Sequence, residues 1–201
     1  MKPRLIGGLV ALVVLIALAL DSTTRSDTAP RETGRVTFDP AAYGAKTYPK
    51  VVAEIEQRAV PIDELAEALD DDPDAAGERY GKRQGTSPYN FAVTGSGKAG
   101  KAEGGLLPVR VKGLGDAQVN LQIGPAINGT ALRDAVGFIT FDQFVNQVDY
   151  ADAATALNNQ VKAEVLKDVG DLEGKTVDFT GAFTFLAPTV MTITPVALEA
   201  S

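Results

Sequence analysis

The sequence predicts an α+β fold: a five-stranded antiparallel barrel with a long helical insertion between its third and fourth strands, preceded by N-terminal helices and a membrane anchor or signal helix. Three observations predict it. Apolar residues recur at helical spacing up to about residue 83, then alternate with period 2 from Tyr89 to Ile123. Helical spacing returns until about Val169. Two further period-2 segments close the chain. Three strands, a helical stretch and two strands is the order of an OB-like Greek-key barrel. An open antiparallel sheet with helices on one face is the competing arrangement.

Composition narrows the chemistry. The chain has 201 residues, 45% hydrophobic and 22% charged, enough for one domain plus an anchor. It has no Cys, His or Trp. Disulfides, thiol nucleophiles, Cys/His zinc sites and imidazole acid–base chemistry are therefore excluded. Net charge is −7. Phosphate backbones are held by Lys and Arg, so nucleic acid is not an expected partner.

Residues 1–20 read as a signal peptide or signal anchor. Lys2 and Arg4 precede the uncharged run Leu5–Leu20, and Ala17-Leu18-Ala19 has the spacing of a cleavage site. Uncleaved, this run is just short of the length of a spanning helix and would hold the cytoplasmic membrane with its basic end inside. No Cys follows it to accept a lipid. Residues 21–35, rich in Ser, Thr, Asp and Arg, read as a polar tether. Residues 36–201 form the exported domain, with a helical part at 36–83 and the barrel at 87–201. Without Lys2 and Arg4, 17 basic residues face 26 acidic ones, a net charge of −9.

In the helical part, Val51, Val52, Ile55 and Ala59 share a face, with Pro49 expected near the first turn. Pro61 breaks that helix. Ile62, Leu65, Ala66 and Leu69 make a second, and Pro73 opens a third. The Asp70–Asp74 cluster lacks the alternate ligands, sixth-position Gly and twelfth-position Glu of a calcium loop, and reads as a loop and cap. No metal or other cofactor is expected.

In the barrel, Phe91 with Val93, Leu107 with Val109 and Val111, and Val119 with Leu121 and Ile123 mark three strands. Leu157, Val161 and Val165 carry an i, i+4 stripe running on to Val169, with Gly170 as the stop. Val177, Phe179, Phe183 and Phe185 share a face in the fourth strand, with a bulge or bend at Gly181. Val190 to Val196 make the fifth, with Pro195 at an edge or bulge.

Gly95-Ser96-Gly97-Lys98-Ala99-Gly100-Lys101 satisfies two glycine-rich phosphate patterns literally. A P-loop needs Ser or Thr after the Lys, where Ala102 stands, and both patterns need a helix to follow. The segment is expected to be a flexible loop between the first two strands. Asn128-Gly129-Thr130 reads as a turn, with Thr130 capping a short helix. Phe138, Phe141 and Phe144 are expected to plug the barrel end. Gln122, Arg133, Asp134, Asn146 and Gln147 are the candidate ligand-binding residues, since Arg and amides orient carboxylates and sugars well. Because neighbouring helical residues do not face each other, Arg133 is expected to find its partner away from Asp134. A purely internal network is the other reading of these residues.

Ser87-Pro88-Tyr89-Asn90-Phe91, Gln122-Ile123-Gly124-Pro125, Gly129–Ala135, Phe141–Gln147, Tyr150-Ala151-Asp152 and Gly181-Ala182-Phe183 together resemble the DUF2291 family of predicted periplasmic lipoproteins. The resemblance runs from about Phe38 to the C-terminus. It implies no known activity. It does imply an accessory role beside sugar-type ABC transporters, with transporter components as partners.

The expected function is therefore that of a non-enzymatic, membrane-tethered extracytoplasmic accessory of an ABC uptake system. The alternative is a small-molecule binding protein with its pocket at the helical insertion. A hydrolase built on carboxylates such as Asp134 and Glu164 lacks both the paired spacing and an activated nucleophile.

Overall fold

Asp39 opens helix α1 (Pro40–Arg58), its carboxylate accepting from the Ala42 N–H at 3.1 Å. The computed structural model describes residues 37–115 and 117–201. The expected anchor (1–20) and the tether (21–35) lie outside the described residues, as does Asp116. Pro40 occupies the first turn of α1, and Pro49 lies mid-helix rather than at its start. Pro49 and Ala45, whose carbonyl it cannot satisfy, are both exposed, so the missing bond falls on the solvent side of the helix. Two residues, Val60–Pro61, form β1. Helix α2 (Ile62–Asp71) follows, and Asp72 caps α3 (Pro73–Tyr80) by accepting from the Asp74 and Ala75 N–H groups, both at 3.0 Å. The Asp cluster is thus a cap, as its sequence suggests.

The barrel strands are β2 (Asn90–Ala99), β3 (Leu106–Val111), β4 (Gln118–Gln122), β5 (Thr176–Thr184) and β6 (Val190–Ala200). They close in the order β2-β3-β4-β6-β5, and β5 pairs back onto β2 from Asn90↔Thr184 to Lys98↔Thr176. The OB-like order with its helical insertion is present, but the expectation of an all-antiparallel barrel fails at one seam. β4 and β6 run parallel, Val119 beside Met191 and Leu121 beside Ile193. A closed ring with an odd number of strands cannot alternate direction throughout, so one parallel pair is unavoidable. β1 adds a short parallel pairing on β2, Val60 beside Val93.

The segment expected as a glycine-rich loop is strand as far as Ala99. Gly97 lies opposite Val111, and a Cβ there would stand 2.4 Å from the Arg110 carbonyl oxygen. The glycines let strands approach; they do not cradle phosphate. The β5–β6 register shifts between Thr180 and Gly181, where a Cβ on Gly181 would meet Thr194 O at 2.4 Å. This is the anticipated bulge, and Pro195 sits opposite it, past the end of the β4 pairing.

Two cores result. Phe91, Val93, Leu107, Leu121, Phe179, Phe183, Met191 and Ile193 fill the barrel together with Ile62, Leu65 and Leu69 of α2. A second core lies where α1, α4 (Ala131–Ala135) and α5 (Gln147–Glu164) cover Ala92, Ala182 and Val196 of the barrel. Phe138 and Phe144 border this second core, and Phe141 is half exposed, so the three Phe do not plug the barrel. The α2 side chains have taken that place. Helix α5 stops at Glu164, short of the expected Val169–Gly170 end, and Val165 closes it with an N–H bond to Val161 O.

Candidate functional site

The β4–α4 connection is pinned from both sides by buried amides. Gln122 accepts from Asn128 N at 2.8 Å through Oε1, and its Nε2 donates to Asn128 O at 3.0 Å and Thr194 Oγ1 at 2.8 Å. From α5, buried Asn158 donates to Gly129 O at 2.9 Å. Gly129 adopts φ 93°, the left-handed turn its residue type favours. Thr130 stands at the N-cap of α4 without a side-chain capping bond. Asn158 was not among the sequence candidates. Its one signal was a polar residue beside the apolar stripe Leu157–Val161.

Arg133 and Asp134 come together directly. Arg133 Nε lies 2.7 Å from Asp134 Oδ1 and Nη2 lies 3.1 Å from Oδ2, a two-pronged pair. The expectation that Arg133 must look beyond its neighbour is overturned. That rule describes side chains rising from a regular helix, whereas α4 is a five-residue turn and the long Arg stem folds back across it. The guanidinium also lies over the Tyr150 ring, 3.5 Å from its centroid, and Nη1 donates to Tyr150 O at 3.0 Å. The Tyr150 hydroxyl donates to Asp134 Oδ1 at 3.3 Å and accepts from Gln84 Nε2 at 2.6 Å. Gln84 Nε2 also reaches Ile139 O at 3.0 Å. Burial, followed by the Asp134 charge, raises the Tyr150 pKa above its ordinary value, and Arg133 opposes the rise. The phenol thus stays a proton donor to the carboxylate.

Asn146 and Gln147 do something else. Asn146 caps α5, its Oδ1 accepting from Asp149 N at 2.9 Å and its Nδ2 donating to Asp149 Oδ2 at 3.0 Å. Gln147 is the exposed first residue of that helix. The five candidates therefore occupy three separate places: Gln122 in the barrel wall, Arg133 with Asp134 under Tyr150, and Asn146 with Gln147 at the start of α5.

The open space lies elsewhere. A cleft of about 700 Å³ runs between α2, the β3–β4 turn and the β5–β6 loop, with Leu69, Leu114 and Met191 as its apolar wall and Asp63, Glu67 and Asp70 at its rim. A second, acidic cleft of about 700 Å³ lies beside Glu64, Asp71 and Tyr80. A third, of about 320 Å³, is bordered by Lys98, Lys101 and Arg110. None of the three is lined by residues of the helical insertion. Among the described residues, no group of three or more Asp or Glu side chains is arranged to hold a metal ion.

Among solved structures, the chain is similar to an OB-fold protein from Thermotoga maritima, with a TM-score of 0.68 and 24% identity, over 82% of this chain and 99% of that one. That likeness establishes the fold. No curated protein matches. The model of a family described as predicted periplasmic lipoproteins, DUF2291, matches residues 9–199. That description agrees with an extracytoplasmic, membrane-associated or periplasmic location. With nearly its whole length matched, the chain belongs to the DUF2291 family of predicted periplasmic lipoproteins.

Proposed function

We propose that the protein is a non-enzymatic accessory of a sugar-type ABC uptake system, held at the outer face of the cytoplasmic membrane through residues 5–20. One observation supports this most. Four of the five candidate residues are engaged within the protein itself: Gln122 with Asn128 and Thr194, Arg133 with Asp134 and Tyr150, Asn146 with Asp149. A catalytic group must keep a lone pair or proton free for substrate. These residues instead fix the shape of a scaffold whose outer surface is its working part. The test is uptake of labelled sugars by a deletion strain, complemented with the wild-type chain. Loss of uptake for one class of sugar, restored on complementation, supports the reading. Unchanged uptake across the panel, or turnover of a sugar by the purified protein, removes it.

The cleft beside Leu69, Leu114 and Met191 favours a second reading, a binding protein for a small solute. It moves the pocket from the helical insertion to the barrel mouth. A thermal-shift panel of sugars and nucleosides tests it, since a ligand at 100 times its Kd adds about 2.7 kcal/mol.

A further inference from the structure

Three large apolar side chains stand in solvent within one short stretch of the insertion. Phe141 is 48% exposed, Val145 72% and Val148 67%. They flank Asn146, the cap of α5, and Phe141 is the outer member of a chain of aromatic rings. Phe141 meets Tyr150 at 5.7 Å between centroids, Tyr150 meets Phe144 at 5.3 Å, and Phe144 meets Phe38 at 5.5 Å. Tyr43 closes the group, 5.3 Å from Phe38 and 5.6 Å from Phe144. The exposed patch is therefore joined ring to ring to Phe38, the point at which the folded unit Phe38–Ser201 begins.

What precedes Phe38 identifies the occupant. The uncharged run ends at Leu20, and only residues 21–37 separate it from Phe38. A polar tether of that length, as the sequence predicts for 21–35, would span about 23 Å on average. A domain the size of Phe38–Ser201 has a radius of gyration of about 15 Å, so its far side lies well beyond that reach. A membrane-held chain keeps Phe38 within about that reach of the bilayer, so the surface around it is the part of the domain held nearest the lipid. Within Phe141–Tyr150 itself the charges are acidic, Asp142 exposed and Asp149 bonded to Asn146; beside it Arg133 is held by Asp134, and Lys50 lies over the Phe138 ring. The patch therefore suits neutral lipid and has no polybasic attraction to anionic headgroups.

We propose that Phe141, Val145 and Val148 are a membrane seat, the face on which the domain rests against the lipid bilayer with these side chains among the headgroups. The proposal rests on the membrane-held reading above. It orients the domain, and it requires the 79% exposed Leu186 of the β5–β6 loop to stay in water.

The chain contains no Trp, so a single introduced indole is an unambiguous reporter. Val145→Trp and, as control, Leu186→Trp, a position 79% exposed on the β5–β6 loop, are made in the full chain and reconstituted into phosphatidylcholine vesicles. Flotation with the vesicles reports anchoring. Shallow doxyl-labelled lipid reports depth. The Val145→Trp indole should shift to the blue and lose about half its emission to the quencher, as expected at headgroup level, while Leu186→Trp should not respond. Adding Val148→Asp to Val145→Trp should restore emission without stopping flotation. Protein that floats with an unquenched indole at 145 overturns the seat and leaves the anchor intact. In that case a blue shift means that a second copy or another protein covers the patch. Equal quenching at 145 and 186 also overturns it. Protein that does not float removes the anchor, and the seat with it.

Discussion

Arg133 grips the carboxylate of the very next residue, Asp134, with two bonds of 2.7 and 3.1 Å, and does so while its guanidinium lies over the Tyr150 ring. Only 8% of Arg133 is exposed. Removing its side chain leaves a mostly buried carboxylate with the Tyr150 hydroxyl in place of its cation. Arg133→Ala should lower unfolding stability by roughly 2–4 kcal/mol, read as a fall in the urea midpoint. Arg133→Lys keeps the charge but not the two-pronged geometry, and should fall between. An unchanged midpoint for Arg133→Ala, with solute uptake lost, would instead assign the residue to a ligand.

The buried amide of Gln122 and the exposed amide of Gln147 make a direct comparison. Gln122→Ala breaks three bonds and leaves the Asn128 N–H and carbonyl without their partner. A loss of roughly 2–3 kcal/mol is expected. Gln147→Ala alters an exposed helix start and should stay within about 0.5 kcal/mol. Urea unfolding of both variants checks this, and similar losses would mean that Gln147 has a partner of its own.

Gly44 of α1 meets Ala156 of α5 backbone to backbone. A Cβ on Gly44 would stand 2.9 Å from the Ala156 carbonyl oxygen and 3.1 Å from its Cβ. Neither contact is the tip of a flexible side chain, so the two helices must part. Gly44→Ala should lose about 1–3 kcal/mol despite its better helix propensity, and Gly44→Val more. Gly170, with nothing within 4 Å, is the control, and Gly170→Ala should be near neutral. Equal midpoints for Gly44→Ala and wild type would show that the helix pair can spread at no cost.

The fold was legible because its signals are long-range in period and local in sequence. Alternation placed all five barrel strands, and the return of helical spacing placed the insertion. Pairing directions were not legible, since alternation says which face is buried and nothing about the neighbour; closure forced β4 and β6 parallel. Glycines misled at Gly95–Ala99, because the residue that permits a loop also permits close strands. Within the candidate site, residue types pointed correctly to Gln122 and Arg133 as special. Their partners, Thr194 and Tyr150, are 72 and 17 positions away, and no spacing rule reaches them. Asn158 was hidden because one Asn in an amphipathic helix resembles any solvent-facing residue.

Tyr48 offers a prediction in which pH carries the argument. Its ring is buried in the second core, 5% exposed, and its hydroxyl has no hydrogen-bond partner in the structure. Burial first, then the negative charges of Glu164 and Glu56, raises its pKa well above the ordinary 10.0. The unfolded chain releases the phenolic proton near pH 10, while the folded chain keeps it. Above that pH the unfolded state binds fewer protons, so stability is intact below pH 10 and falls as pH rises toward the folded value, by up to about 1.4 kcal/mol per pH unit. Tyr150 and Tyr43, also raised by burial, add to the same alkaline loss. Tyr48→Phe removes one contribution along with an unpaired buried hydroxyl. At pH 7 its urea midpoint should match or exceed that of the wild type, by up to about 1 kcal/mol. From pH 10 to 11 the advantage of the variant should widen, because only the wild type retains the Tyr48 titration. Urea unfolding at pH 7, 10 and 11 measures both. A variant less stable at pH 7 would mean that the hydroxyl has a bound partner, and parallel losses above pH 10 would mean that Tyr48 ionises as freely in the folded chain as in the unfolded one.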